Sequence, residues 1–181
     1  MVEPLLHFVV PFTSLRAVRI DLRRAAFASL VALLLDVDVF FGVHRSQSHS
    51  LIMLALIAVP LVLVTWKREG LRALMLLGAF GVLTHLVMDV FQSPTPLFWP
   101  LSDDSFSIQV ALDFHIGSAP TITGSSQPIW TQGTIEPFKS FDAPILTAPG
   151  LGISLVLLAP TLAEILWSKL MPSRGSRPDH A

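Results

Sequence analysis

The sequence predicts a mainly α, polytopic membrane protein: four to five apolar helices with a small β-containing lid outside the bilayer. Three observations carry that expectation. Of 181 residues, 52% are hydrophobic and only 14% charged, against roughly 25% charged in an ordinary soluble domain. The apolar residues gather into five runs separated by short polar or basic stretches. Residues 94–149 break the pattern, being richer in Pro, Gly, Ser and Thr.

Each element follows from its local sequence. Residues 4–15 are apolar but short and interrupted by Pro11, which suggests a tilted, half-buried helix packed on the next one. After Arg16, Arg19, Arg23 and Arg24, the second run spans 25–41 and carries Asp36 and Asp38 near its end. Arg23-Arg24 before an apolar run imitates a signal peptide, but no small-residue cleavage site follows. A polar connection, 42–49, leads to the third run, 51–66, closed by Lys67-Arg68-Glu69-Gly70. The fourth, 71–91, holds His85 and Asp89 in its last two turns. It ends before Pro94-Thr95-Pro96, since proline lacks a backbone donor and disfavours helix in the preceding residue. The fifth is 147–170. A bilayer-spanning helix needs about 20 apolar residues, within roughly 17–25. Runs three to five approach this length, and run two does so only if its aspartates reach the interface.

These runs divide the chain into membrane helices (1–93), an outer loop (94–146), a C-terminal membrane helix (147–170) and a polar, disordered tail (171–181). In the outer loop, Phe106, Ile108, Val110, Leu112, Phe114 and Ile116 alternate with polar or small residues. That period of two indicates a half-buried strand. Short strands are also expected around 128–130 and 134–138.

Orientation follows from the basic residues. With the N-terminus outside, ten of the twelve Lys and Arg fall inside, leaving Arg45 and Lys139 outside. The expected location is the cell's inner membrane, multi-pass, with the 42–50 loop and the lid on the extracytoplasmic side. A net charge of -1 offers no basic field to nucleic acid. The absence of cysteine excludes disulfides, thiolate metal sites and a Cys nucleophile. Tyrosine is absent too, so an interfacial aromatic belt falls to Trp66, Trp99, Trp130 and Trp167.

In that topology Asp36, Asp38, His44, His49, His85 and Asp89 all lie at run ends on one face of the membrane. Ionisable groups are costly in a bilayer and are usually functional there. His85 and Asp89, four residues apart, share a helical face. The pair suits one metal ion, or a hydrogen-bonded cap near a helix end. Asp36 and Asp38 point to different faces of a helix, so both can ligate only if the helix ends there or two ions are present. Aspartate at a helix C-terminus opposes the macrodipole, and a cation would offset that. His44 and His49 share a short loop with Arg45, whose planar fork of donors suits a phosphate or carboxylate oxygen. Ser48 is a plausible N-cap of the third run. His7 begins on the same side and is a further candidate ligand, or a hydrogen-bonded core histidine. His115 reads as surface, and His180 lies in the tail.

The motifs Leu34-Leu35-Asp36-Val37-Asp38, His44-Arg45-x-x-x-His49-Ser50, Thr84-His85-Leu86-x-x-Asp89 and Pro96-Leu97-Phe98-Trp99-Pro100-Leu101-Ser102 stand in one order. Together they resemble the LexA-regulated inner-membrane metal-dependent hydrolase family, over residues 4–108. The resemblance implies His7, Asp36, Asp38, His44, His49, His85 and Asp89 as metal ligands. It is similar in motif style to phospholipases and nucleases that hold several zinc ions. The chain departs from that pattern at Leu35, Val39, Ser46 and Pro11, where the family usually has proline, histidine, glycine and a small residue; the change at Val39 implies one metal fewer.

The expectation is a membrane-embedded hydrolase of phosphoesters in amphiphilic or lipid substrates. Zn²⁺ suits Asp and His donors best, with Mn²⁺ or Fe²⁺ as alternatives. Arg45 would stabilise phosphoryl charge, and Asp36 or Asp38 would serve as general base. Expected partners are the lipid bilayer and a lipid phosphate, without nucleic acid. The competing expectation is a non-catalytic membrane scaffold or accessory subunit with a structural metal. A cation transporter ranks last, because runs three and five carry almost no polar residue in mid-membrane.

Overall fold

The computed structural model describes residues 3–41, 47–116, 120–132 and 146–170. Among these, α1 is Pro4–Ala17, α2 Leu22–Leu33, α3 Leu51–Val64, α4 Glu69–Val90 and α5 Ala148–Leu170. Two 3₁₀ segments, Leu34–Phe41 and Gln47–His49, lie between α2 and α3, and strands β1 (Asp104–His115) and β2 (Thr121–Gln132) precede α5.

The expected four to five apolar spans are not what the chain builds. Two helices, α4 with 22 residues and α5 with 23, are long and apolar enough to cross a membrane. α1, α2 and α3 have 14, 12 and 14 residues. At about 1.5 Å per residue they reach about 18–21 Å, short of the roughly 30 Å hydrocarbon core. The reasons are local. The second apolar run stops being α-helical at Leu33, and its Asp-Val-Asp end rewinds into 3₁₀ turns. The third starts at Leu51 as expected, where Ser50 caps α3 by accepting from Ile52 N and Met53 N, and stops at Val64. Ser48, the cap expected from sequence, is engaged elsewhere.

α2 packs on α1 and α4, while α1 also meets α5, and α3 rests on α4. The α2–α4 contact is built from small residues. Ala25, Ala28, Ser29 and Ala32 are fully buried, and Ala28 lies against Gly81 of α4. A Cβ at Gly81 would run into the carbonyl oxygen of Ala28, whereas one at Gly78 would make ordinary contacts with Val31 at 3.5 Å and Phe27 at 3.8 Å. Close backbone approach through small residues is how helices associate where lipid removes the hydrophobic drive. α5 is pinned to α1 at both ends. The Thr147 hydroxyl donates to Glu3 and accepts from Gly150 N, and Arg16 pairs with Glu164 at 2.5 Å. Glu3 thereby brings negative charge to the N-terminus of α5, which the helix dipole favours.

β1 and β2 pair antiparallel from Asp104↔Gln132 to His115↔Thr121. The half-buried strand expected over 106–116 is covered only at its base, where Phe106 packs on Trp130 and Trp130 stacks on Phe98. From Gln109 onward β1 is exposed, because no described residue forms a second layer there. The region around 128–130 belongs to one long strand, and the expected strand at 134–138 lies outside the described residues.

Candidate metal centre

Four elements bring their polar residues to one pocket. His7 comes from α1, Asp36 and Asp38 from the first 3₁₀ segment, His49 from the second, and His85 and Asp89 from α4. Beneath them Leu35, Val82 and Leu86 form an apolar floor, with Val31, Leu54 and Leu97 against it. The 95–101 segment clasps the start of α3. Leu51 N donates to Leu97 O at 2.9 Å, and the Ser50 hydroxyl lies within donating distance of the Leu97 and Trp99 carbonyls. That clasp holds His49, the preceding residue, in place.

His49 and His85 are fully buried, Asp89 is 1% exposed and Asp36 20%. His85 Nε2 stands 3.4 Å from Asp36 Oδ1 and 3.3 Å from Asp89 Oδ2. His49 Nε2 stands 4.0 Å and 3.4 Å from the same two oxygens. Each distance exceeds the 2.7–3.2 Å span of an ordinary N–H···O bond. Among the described residues neither ring nitrogen of His85 has a hydrogen-bond partner. Around a tetrahedral ion with bonds of about 2.0–2.2 Å, donors stand about 3.3–3.6 Å apart. Three of the four separations match that edge. Two overlapping sets, Asp36 with His49 and His85, and His7 with His85 and Asp89, each bring their donor atoms within 4.8 Å of one another and could hold a metal ion.

Asp38 lies on the other side of His49, 3.3 Å from Nδ1. The Ser48 hydroxyl sits 2.9 Å from Asp38 Oδ2 and 3.0 Å from His49 Nδ1. A carboxylate behind a ligating histidine holds the proton on the far nitrogen and directs the near lone pair to the metal. The 3₁₀ winding lets Asp36 and Asp38 address opposite nitrogens of one ring. Asp38 is thus placed beside Nδ1 of His49, and Asp36 beside the Nε2 atoms of His85 and His49. His7 stacks on His85 with centroids 3.8 Å apart and planes 16° apart, and its Nε2 is 3.7 Å from Asp89 Oδ1.

Of the residues singled out from sequence, His7, Asp36, Asp38, His49, His85 and Asp89 come together here. His44 and Arg45 lie outside the described residues, as does His180. His115 is exposed at the end of β1, away from the cluster. Sequence reasoning missed the bridging role of Ser48, which its position beside His49 makes reachable, and the buried Glu3. The only sign of Glu3 in sequence is its place one helical turn before His7.

The family described as YdjM inner membrane protein matches residues 4–141. No curated protein and no solved structure matches the chain.

Proposed function

The chain belongs to the YdjM inner membrane protein family, and from that premise we propose that it is a membrane-embedded, metal-dependent hydrolase of phosphoesters carried on amphiphilic substrates. The observation that carries the metal reading is the meeting of two donor sets, Asp36–His49–His85 and His7–His85–Asp89, at the buried His85 ring, whose nitrogens have no hydrogen-bond partner among the described residues. The donor set, nitrogen and oxygen without sulfur, favours Zn²⁺, with Mn²⁺ or Fe²⁺ next. A divalent cation supplies Lewis-acid polarisation of a phosphoryl oxygen and a more acidic water. The protein's own part is to hold the donors in place, to orient His49 through Asp38, and to keep bulk water from the buried side of the pocket.

Arg45, four residues before His49 in sequence, is assigned to the developing phosphoryl charge, for which its planar fork is suited. A lipid phosphate is the favoured substrate class, because the pocket sits at the C-terminal end of an apolar helix long enough to span. Lys67, Arg68 and Arg72 mark the opposite end of α4, and Lys169 ends α5. The basic-inside tendency then puts the pocket on the extracytoplasmic side.

One observation favours a second reading, a structural metal in a non-catalytic protein. His49, His85 and Asp89 are buried to within 1%, and sites closed off by protein donors are the structural kind. Turnover separates the two readings. Zinc-loaded protein in detergent should hydrolyse a lipid phosphate or a chromogenic phosphodiester. Chelation should abolish that activity, and Arg45→Lys should cost on the order of 10²–10³ in turnover while retaining metal. Stoichiometric metal with no turnover of either substrate class would favour the structural reading.

A further inference from the structure

We propose that the cleft between the end of α1 and the last two turns of α5 binds the phosphodiester headgroup of an anionic phospholipid, with Arg16 and Arg19 as its phosphate-binding groups. The site lies at the opposite end of α1 from His7 and stands whether or not the pocket holds a metal.

The backbone at Arg19 is the first ground. Ile20 N donates to Leu15 O at 3.0 Å and Arg19 N to Arg16 O at 2.9 Å, the paired bonds of a Schellman motif closing α1. The turning residue of that motif takes a left-handed conformation, and glycine normally stands there because a Cβ is strained. This chain has Arg19 instead, at φ 63°. Strain kept at one position is a pointer to function. A turn alone would be better served by glycine, so the guanidinium is what the position retains.

Arg16 supplies the second ground. Its side chain is 13% exposed, its Nη1 donates to Ile20 O at 2.7 Å and its Nη2 to Glu164 at 2.5 Å. Its Nε is buried and donates to no described residue. A guanidinium fork receives paired oxygens of one phosphate, and here only the Nη2 arm of the Nε–Nη2 edge is taken. Glu164 is 65% exposed, so its carboxylate can turn to water and leave the fork to a phosphodiester. Asp21, the acid nearest Arg19 in sequence, pairs with Arg24 at 3.2 Å.

The shape of the cleft selects an amphiphile. A space of about 490 Å³ is lined by Arg16, Ala17, Arg19 and Glu164. A second, of about 360 Å³, shares Arg16, Ala17 and Glu164 and continues between Thr13, Leu157 and Pro160. A charged end thus opens onto a groove with apolar walls between two helices, which fits a headgroup with the start of an acyl chain behind it. Trp167, exposed one turn beyond Glu164, stands where indole rings mark the headgroup level. Basic pockets between helices on the cytoplasmic side of a membrane bind anionic headgroups, and the orientation proposed above puts this end of α1 there.

Native mass spectrometry of the detergent-purified full chain, titrated with phosphatidylglycerol or with phosphatidylcholine of the same acyl chains, tests this. Wild type should retain phosphatidylglycerol preferentially. Arg19→Gly suits the left-handed turn and should melt no lower than wild type, yet bind phosphatidylglycerol about fivefold more weakly. Glu164→Gln, which frees the fork, should bind it more tightly. Millimolar inorganic phosphate should not displace the lipid. Equal retention of the two lipids, wild-type affinity in Arg19→Gly, binding no tighter in Glu164→Gln, or displacement by inorganic phosphate would each overturn the lipid site. None of those results bears on the metal reading, which elemental analysis of the same samples tests separately.

Discussion

At the scale of single residues, the pocket divides into groups that would touch the metal and groups that hold those in place. His85 contributes the most constrained donor, a fully buried ring with no hydrogen bond at either nitrogen among the described residues. Asp38 acts one step removed, through His49 Nδ1. His85→Ala should therefore remove tight binding, whereas Asp38→Ala should weaken affinity about 10–100-fold, the usual cost of losing such a partner. Competition with a chelator of known affinity measures both. Equal losses in the two variants would make Asp38 a ligand in its own right. The members of the buried cluster were legible in sequence because carboxylates and imidazoles stand out at the ends of apolar runs. The division of labour between Asp36 and Asp38 was not. It depends on the change from α to 3₁₀ winding at Leu34, which no periodicity in Leu34–Phe41 announces.

At the scale of elements, α4 is the frame on which the site is hung. It carries His85 and Asp89 one turn apart, and through Gly78 and Gly81 it lets α2 approach closely enough to deliver Asp36. Gly81→Ala would drive a methyl group into the Ala28 carbonyl, an overpacking that typically costs about 1–3 kcal/mol. Gly78→Ala meets only ordinary van der Waals contact and should stay close to neutral. Denaturation of the two variants in mixed detergent micelles compares them, and equal stabilities would contradict the α2–α4 interface described here. The helix ends explain why apolar run length overestimated the number of spans. Composition registers that residues 25–41 and 51–66 are apolar, but not that the chain leaves the α-helix at Leu34 in the first and at Thr65 in the second. The strand pattern over 106–116 was visible for a similar reason. Alternation marks a strand wherever it occurs, yet it does not say whether anything covers the apolar face.

At the scale of the whole molecule, two helices long enough to span, a cluster of shorter ones and a projecting β-ribbon make an inner membrane protein whose polar pocket lies at one end of α4. The proposed orientation is open to labelling. Cysteines introduced singly into this cysteine-free chain at Ser125 in β2 and at Gly70 at the start of α4 should differ. The first should react with an impermeant thiol reagent in spheroplasts, and the second only after lysis. The reverse pattern would invert the orientation while leaving the pocket intact. The central claim is that the pocket is a metal centre, and zinc K-edge X-ray absorption of the detergent-purified protein tests it most directly. The expected spectrum is a nitrogen and oxygen shell at about 2.0–2.1 Å with imidazole scattering and no sulfur, lost in His85→Ala and kept in His115→Ala. A wild-type protein without stoichiometric zinc, manganese or iron, or a His85→Ala spectrum identical to wild type, would contradict it.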